Sequence, residues 1–260
     1  MIADQFDVFL LDLDGVLYLG DEPLPESITA MRRLLDRGAA IRILTNNPRL
    51  SRQALVDRFQ AADLAISIEH IVTSGWAAAR FLAQQGVTQV DVVGSDGARA
   101  ACANEGLTLT DATPEAVIVG ADRATTYLDL QRAMDHIRSG ARFVGTNPDT
   151  SFPTPSGRGL GAGALIQALE AATGVQATIA GKPEPLMFDV VRAACAPGTR
   201  LVMIGDNPDT DIRGAHRAGI ASILMAHPSG RLGDTEVSPV PDLTLTSLAA
   251  LFDDDRSLDV

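Results

Sequence analysis

The residues that most restrict this chain are acids standing at the ends of apolar runs. Phe6 to Leu11 is a continuous apolar stretch holding one acid, Asp7, and it runs straight into Asp12; LVMIG at 201–205 likewise ends on Asp206. Such runs suit strands buried on both faces of a parallel sheet. AIRILT at 40–45 and HIVT at 70–73 read as further strands, with helices expected at 26–37 and 51–59. In the first helix Ile28, Met31, Leu34 and Leu35 share one face, and Gly38 follows as a C-cap. The β-α-β-α-β order predicts a doubly wound parallel α/β sheet.

Beyond residue 78 the rhythm continues with strands of its own at 90–94, 115–120 and 141–146, and helices near 96–105, 127–138 and 161–174, the last ending at Gly174. After Lys182 the first pattern resumes, with a helix at 185–195, a strand at 201–205, a helix near 210–218 and a strand at 220–225. The expected organisation is a Rossmann-like core in two pieces, 1–77 and 180–260, with an α/β domain inserted at 78–179. The closing DDDRSLDV is expected to fray.

Composition narrows the partners. A formal charge of −12 and a pI near 4.7 argue against DNA, RNA or an anionic membrane surface. No apolar run approaches the roughly 18 residues of a membrane span, and the acidic opening MIADQFD lacks the pattern of a signal peptide, so a cytoplasmic protein is expected. Cys102 and Cys195 are too few and too far apart for a disulfide framework or a zinc cluster and are read as buried thiols. His70, His136, His216 and His227 have no metal-ligand spacing and are read as structural or surface residues. The chain holds 25 Asp against 8 Glu, and one lysine beside 20 arginines. A genome rich in G and C or a salt-adapted host would each produce that bias.

In open α/β sheets, ligands bind outside the carboxyl ends of the strands. That is where Asp12 and Asp14, and then Asp206, Asp209 and Asp211, are expected to converge. A single such Asp could merely cap the following helix. Two clusters of carboxylates repel, and the usual compensation is a hard divalent cation with oxygen ligands, Mg²⁺ above all. Thr45-Asn46-Asn47 at the end of the second strand suits an oxygen-rich anion. Lys182, in GKPEP, offers a compact positive charge, and it is the one cation that drift toward arginine has spared.

Asp12-Leu13-Asp14-Gly15-Val16, Thr45-Asn46-Asn47, Gly181-Lys182-Pro183 and Gly205-Asp206-Asn207-Pro208-Asp209-Thr210-Asp211, in that order, resemble the four motifs of the haloacid dehalogenase superfamily of phosphatases. The short step from Asp14 to Thr45 leaves no room for a cap, whereas the stretch from Asn46 to Lys182 holds one. That cap position, with GTNPD at 145–149 and GAGALIQALEAATG at 161–174, resembles the NagD-like branch. The resemblance implies Mg²⁺-dependent hydrolysis of a small phosphorylated metabolite. Asp12 would be the nucleophile and Asp14 the proton donor and then base; Asp12, the Asp14 carbonyl and Asp206 would hold the metal, with Asp211 nearby. Thr45 and Asn46, with Asn47 beside them, would bind phosphoryl oxygens, and Lys182 would neutralise nucleophile and phosphate. The cap loop from Asn147 to Pro155, with Phe152 and Pro153, is the expected substrate lip, Phe152 reading equally as a lid or as cap core. A homodimer built through the caps is a further expectation. Two departures stand out: Leu160 where relatives commonly carry proline, and Asn207-Pro208 in place of a basic-apolar pair.

Other functions fit less well. A two-component receiver shares the acids, a Thr and a Lys, but its acceptor Asp follows the third strand, not the first. Gly157-Arg158-Gly159-Leu160-Gly161-Ala162 imitates a dinucleotide fingerprint but follows SFPTPS in place of a strand. A sugar phosphomutase would keep all four motifs, and release of inorganic phosphate without a bisphosphate activator separates it from a phosphatase.

Overall fold

A computed structural model describes residues 1–154, 157–226, 239–254 and 258. The chain gathers into two compact units: residues Met1–Thr45, Val56–Val72 and Phe188–Val260 form one, and Asn46–Leu55 with Thr73–Met187 form the other.

The first unit is built on a six-stranded sheet in the order Leu243–Leu245, Ala221–Met225, Leu201–Gly205, Val8–Leu11, Ala40–Thr45, Ile71–Thr73. Its central neighbours run parallel, with Leu11 opposite Ile204 on one side and Ile43 on the other. The Val8–Leu11 strand therefore stands at the topological switch point, where an α/β sheet opens its ligand crevice. All residues of the Val8–Leu11 and Leu201–Gly205 strands are buried, as their unbroken apolar character requires. The helix Pro25–Asp36 buries Ile28, Met31 and Leu34, with Leu35 only half-buried, and Gly38 follows in the left-handed region at φ +77°.

The second unit has a five-stranded sheet in the order Thr178–Ile179, Arg142–Gly145, Ala116–Val119, Gln89–Val93, Thr108–Leu109, all of its registered pairs parallel. Val117, Val119 and Phe143 from the sheet pack on Ala133, Ile137, Ile166 and Leu169 from the helices Tyr127–Arg138 and Ala162–Thr173. Both helices fall where the apolar spacing placed them, and Gly174 ends the second at φ +73°.

Several features depart from expectation. The segment Ser74–Gln84 is a helix outside the expected set, opened by Ser74 through Ala79, all of them buried. Ser151–Thr154 pairs antiparallel with Gly157–Leu160, a hairpin hidden in a Pro- and Gly-rich stretch. The helix expected near 210–218 begins as a wide π turn at Pro208–Ile212 before the α-helix Arg213–Ala218. Leu258, in the tail expected to fray, is buried, and its backbone bonds both ends of the Gln5 amide, at 3.1 and 2.9 Å. Cys195 is half-buried, unlike the fully buried Cys102. His227, Pro155 and the tail residues 255–257 and 259–260 lie outside the described residues.

Candidate active site

Asp12 continues the ladder beyond the Val8–Leu11 strand, its N–H donating to the Ile204 carbonyl at 2.9 Å. Its backbone is thereby fixed at the carboxyl edge of the sheet, beside the end of the Leu201–Gly205 strand. The next residues close a tight loop: the Gly15 N–H donates to the Tyr18 carbonyl at 2.6 Å, and the Tyr18 N–H to the Leu13 carbonyl at 2.9 Å. Asp14 is held exposed on that loop. Tyr18 anchors it from within, its ring edge-on to Phe59 at 5.2 Å, its hydroxyl donating to the Arg58 carbonyl at 3.1 Å, and the Arg58 guanidinium 4.0 Å over its ring. Burial pushes the Tyr18 phenol above its ordinary pKa, against the opposing pull of Arg58. The sequence gives no sign of this role, since one tyrosine among apolar residues reads as ordinary core.

Carboxylate oxygens of Asp12, Asp206 and Asp211 all lie within 4.8 Å of one another. Two glycines clear the space for them. A β-carbon at Gly15, itself at φ +88°, would overlap the Asp206 carboxylate, and one at Gly205 would overlap Asp211. Asp211 is fully buried, and its carboxylate accepts the Asn207 N–H at 3.1 Å. Asn207 in turn caps the wide turn by accepting the Asp209 N–H at 3.0 Å. Like charges about 4 Å apart repel by roughly 1 kcal/mol in water and about 4 kcal/mol near a protein surface. An all-oxygen donor set of this charge, backed by glycines that admit no side chain, fits a hard divalent cation. Asp209 does not join the group: it is exposed and pairs with Arg213 at 2.8 Å, four residues on. The Asp14 side chain is also outside it. Thr45, buried, ends the strand beside Val8–Leu11.

The remaining motif residues belong to the second unit. Lys182 is buried, with 1% of its surface exposed. The Asn46 side chain meets the Lys182 backbone on both sides: its Oδ1 accepts the Lys182 N–H at 2.8 Å, and its Nδ2 donates to the Lys182 carbonyl at 2.8 Å. Nδ2 also donates to Asp149 Oδ2 at 3.1 Å. Both amide hydrogens are thus engaged within the protein. Asn47 Oδ1 accepts the Arg49 N–H at 3.1 Å. Phe152 is half-buried opposite Gly159, where a β-carbon would come within 2.7 Å of its ring, and the Arg49 guanidinium lies 5.6 Å from the ring centre. Pro153 continues the same strand, its Cα paired with that of Arg158.

The chain also resembles known proteins over most of its length. Residues 9–108 match the model of haloacid dehalogenase-like hydrolases, and residues 179–251 match a second, HAD-hydrolase-like model. The chain is 35% identical to the 5'-nucleotidase YutF of Bacillus subtilis, over 84% of this chain and 86% of that protein. It is 33% identical to the ribonucleotide monophosphatase NagD of Escherichia coli, over 88% of this chain and 91% of that one. Among solved structures, the glycerol phosphate phosphatase of Mycobacterium tuberculosis in complex with magnesium superposes with a TM-score of 0.85 at 30% identity, covering 96% of this chain and 77% of that chain. The chain belongs to the haloacid dehalogenase-like hydrolases. Within them it falls in the NagD-like branch and is a phosphatase.

Proposed function

We propose that this phosphatase hydrolyses a small phosphate monoester, in a Mg²⁺-dependent reaction, through an aspartyl-phosphate on Asp12. The single observation that carries the proposal is the meeting of Asp12, Asp206 and Asp211 within 4.8 Å at the switch point of the sheet. Asp12, Asp206 and Asp211, with the Asp14 carbonyl, would hold the cation, which when bound offsets the charge of both phosphate and carboxylates. A carboxylate oxygen of Asp12 attacks phosphorus, and the bond from phosphorus to the ester oxygen breaks as Asp14 gives that oxygen its proton. The alcohol leaves. Asp14, now ionised, takes a proton from water, whose oxygen attacks the same phosphorus. The bond to Asp12 breaks, inorganic phosphate departs, and both acids return to their starting states. The Thr45 hydroxyl and the Lys182 ammonium are assigned to the phosphoryl oxygens, residue by residue from the motifs they match.

The relatives support the reaction and spread the leaving group widely, from nucleosides to glycerol. The lip at Phe152 is the segment assigned to choose among them. Initial rates of phosphate release from nucleotides, glycerol phosphate, phosphoglycolate, sugar phosphates and nitrophenyl phosphate, with Mg²⁺ and after exhaustive chelation, test the proposal. Turnover of at least one ester that chelation abolishes and Asp12→Asn reduces to background is the expected result. Full activity without metal, or in Asp12→Asn, overturns it.

A further inference from the structure

We infer that Asn46 is a positioning residue for Lys182, and that Asp149 holds Asn46 in that role. The inference rests on the phosphatase reading above, in which Lys182 supplies the charge facing the phosphoryl group.

The two hydrogen bonds between the Asn46 amide and the Lys182 backbone are those a neighbouring strand would make, supplied here by a side chain 136 residues away in sequence. They fix the peptide planes on both sides of the Lys182 α-carbon. The clamp is itself tied down. The Asn46 carbonyl accepts from Ser74 Oγ at 2.8 Å and from Asn147 Nδ2 at 2.8 Å. The remaining Nδ2 hydrogen meets the Asp149 carboxylate, and a bond to an ionised acceptor is stronger than a neutral one. Gly181 completes the fit, because a β-carbon there would come within 2.6 Å of both Asn46 Oδ1 and the Thr146 carbonyl.

A lysine has a flexible four-carbon stem, so its ammonium is placed only as well as its root is held. A misplacement of about 1 Å at a reacting group can cost roughly a hundredfold in rate. Asn46 therefore acts through Lys182, not by touching substrate with its amide. Asp149 lies within the lip segment, so a residue of the lip also steadies the lysine.

A double-mutant cycle tests this on the full-length, Mg²⁺-loaded enzyme. Asn46→Ala, Lys182→Ala and the double variant are compared by kcat and KM for one ester and by the dissociation constant of inorganic phosphate, with thermal melting as the check on folding. The expected result is at least a tenfold fall in kcat for Asn46→Ala when Lys182 is present, and less than about a threefold effect of the same change once Lys182 is gone. Equal losses in both backgrounds would mean that Asn46 acts independently of Lys182 and would overturn the inference. Should Asn46→Ala fail to fold, Asp149→Ala run through the same cycle decides, because it keeps both Asn46 bonds to the Lys182 backbone and removes only the carboxylate that holds the amide. The expected result is at least a threefold fall in kcat with Lys182 present and no further fall once Lys182 is gone. An equal fall in both backgrounds, or none in either, overturns the inference. An unaltered enzyme that releases phosphate from no ester overturns the proposed function and this inference together, whereas an active enzyme with an additive cycle overturns the inference alone.

Discussion

Asp211 fills the space that a side chain on Gly205 would need. The strand Leu201–Gly205 ends on the one residue that lets a fully buried carboxylate fold back against its backbone. Gly205→Ala should therefore act on the acidic cluster and not merely on the strand. Overpacking typically costs about 1–3 kcal/mol, and displacing Asp211 should weaken the cation site by at least tenfold. Thermal unfolding across a Mg²⁺ titration checks both effects. The variant should melt lower without metal and need more metal to reach its plateau. A lowered melt with unchanged metal dependence would show that Asp211 relaxes without moving its oxygens.

In the second unit, Asp91 is 4% exposed on the Gln89–Val93 strand and is gripped by Arg132 through Nε at 2.9 Å and Nη2 at 3.2 Å. The hydrogen bonds and charge of Asp91 and Asp129 raise the Arg132 pKa, with Asp91 the larger cause and burial opposing. Removing one partner of a buried pair costs about 3–5 kcal/mol, whereas replacing both with apolar groups is often close to neutral. Arg132 is 31% exposed and His136 stands 3.8 Å from Asp91, so Arg132→Leu should lower urea stability by less than that, and adding Asp91→Leu should recover most of it. A double variant less stable than either single one would mean that the pair is needed for more than mutual neutralisation.

That pair joins a helix cap that reports on pH. The Thr126 hydroxyl and then its N–H hold the Asp129 carboxyl below its usual value, and the Asp129 N–H donates back to Thr126 at 3.2 Å. A depressed folded pKa makes the stabilisation fully present above the ordinary carboxylate value and lost as pH falls through the depressed one. Stability of the unaltered protein should thus decline more steeply below about pH 4 than that of Asp129→Asn, measured by urea unfolding from pH 6 to 3. Parallel curves would remove Asp129 from the acid response.

How much of this was readable follows from where the signal lies. Asp12 and Asp206 end unbroken apolar strands, so both their position and their meeting could be argued from sequence; Asp209, two residues before Asp211, could not be separated from it. Only the wide turn at Pro208–Ile212 turns Asp211 inward and leaves Asp209 with Arg213. The helix Ser74–Gln84 was illegible because its opening, Ser74 through Ala79, is a run of small residues around one Trp, buried all round, so its first turns carry no helical spacing. The hairpin at Phe152 was illegible because Pro and Gly read as loop whether or not strands pair. Asn46 shows a third limit, because only the fold reveals a backbone 136 residues away that takes both ends of its amide.

The two cysteines differ in a way that chemistry can read. Burial pushes the Cys102 thiol up to about 12, with Arg99 pulling only weakly the other way, while Cys195 is half-buried and its Sγ donates to the Val191 carbonyl at 3.3 Å. The thiolate is the reactive form. Iodoacetamide at pH 8 should therefore label Cys195 in the folded protein, and label Cys102 only after unfolding in urea, with peptide mass spectrometry assigning the sites. Comparable rates at both would show that the helix Asp96–Asn104, which carries Cys102, opens readily.

Lys182→Arg is the substitution that composition would call conservative, since the chain carries 20 arginines and this single lysine. Lys182 is buried to 1% exposure and its backbone is clamped by Asn46, so a larger head group has little freedom to retreat. An ammonium is a compact point charge that turns its three donors as its neighbours demand, whereas a guanidinium is planar, bulkier and directs its donors in a fixed fork. If a cation of any shape sufficed, drift toward arginine should have reached this position as it reached every other. The expected outcome is at least a tenfold fall in kcat with a native circular dichroism spectrum and with KM changed less than kcat. Turnover within about threefold of the parent corresponds to well under 1 kcal/mol of barrier. That result would mean that charge alone is required at 182 and that the surviving lysine reflects composition, not geometry.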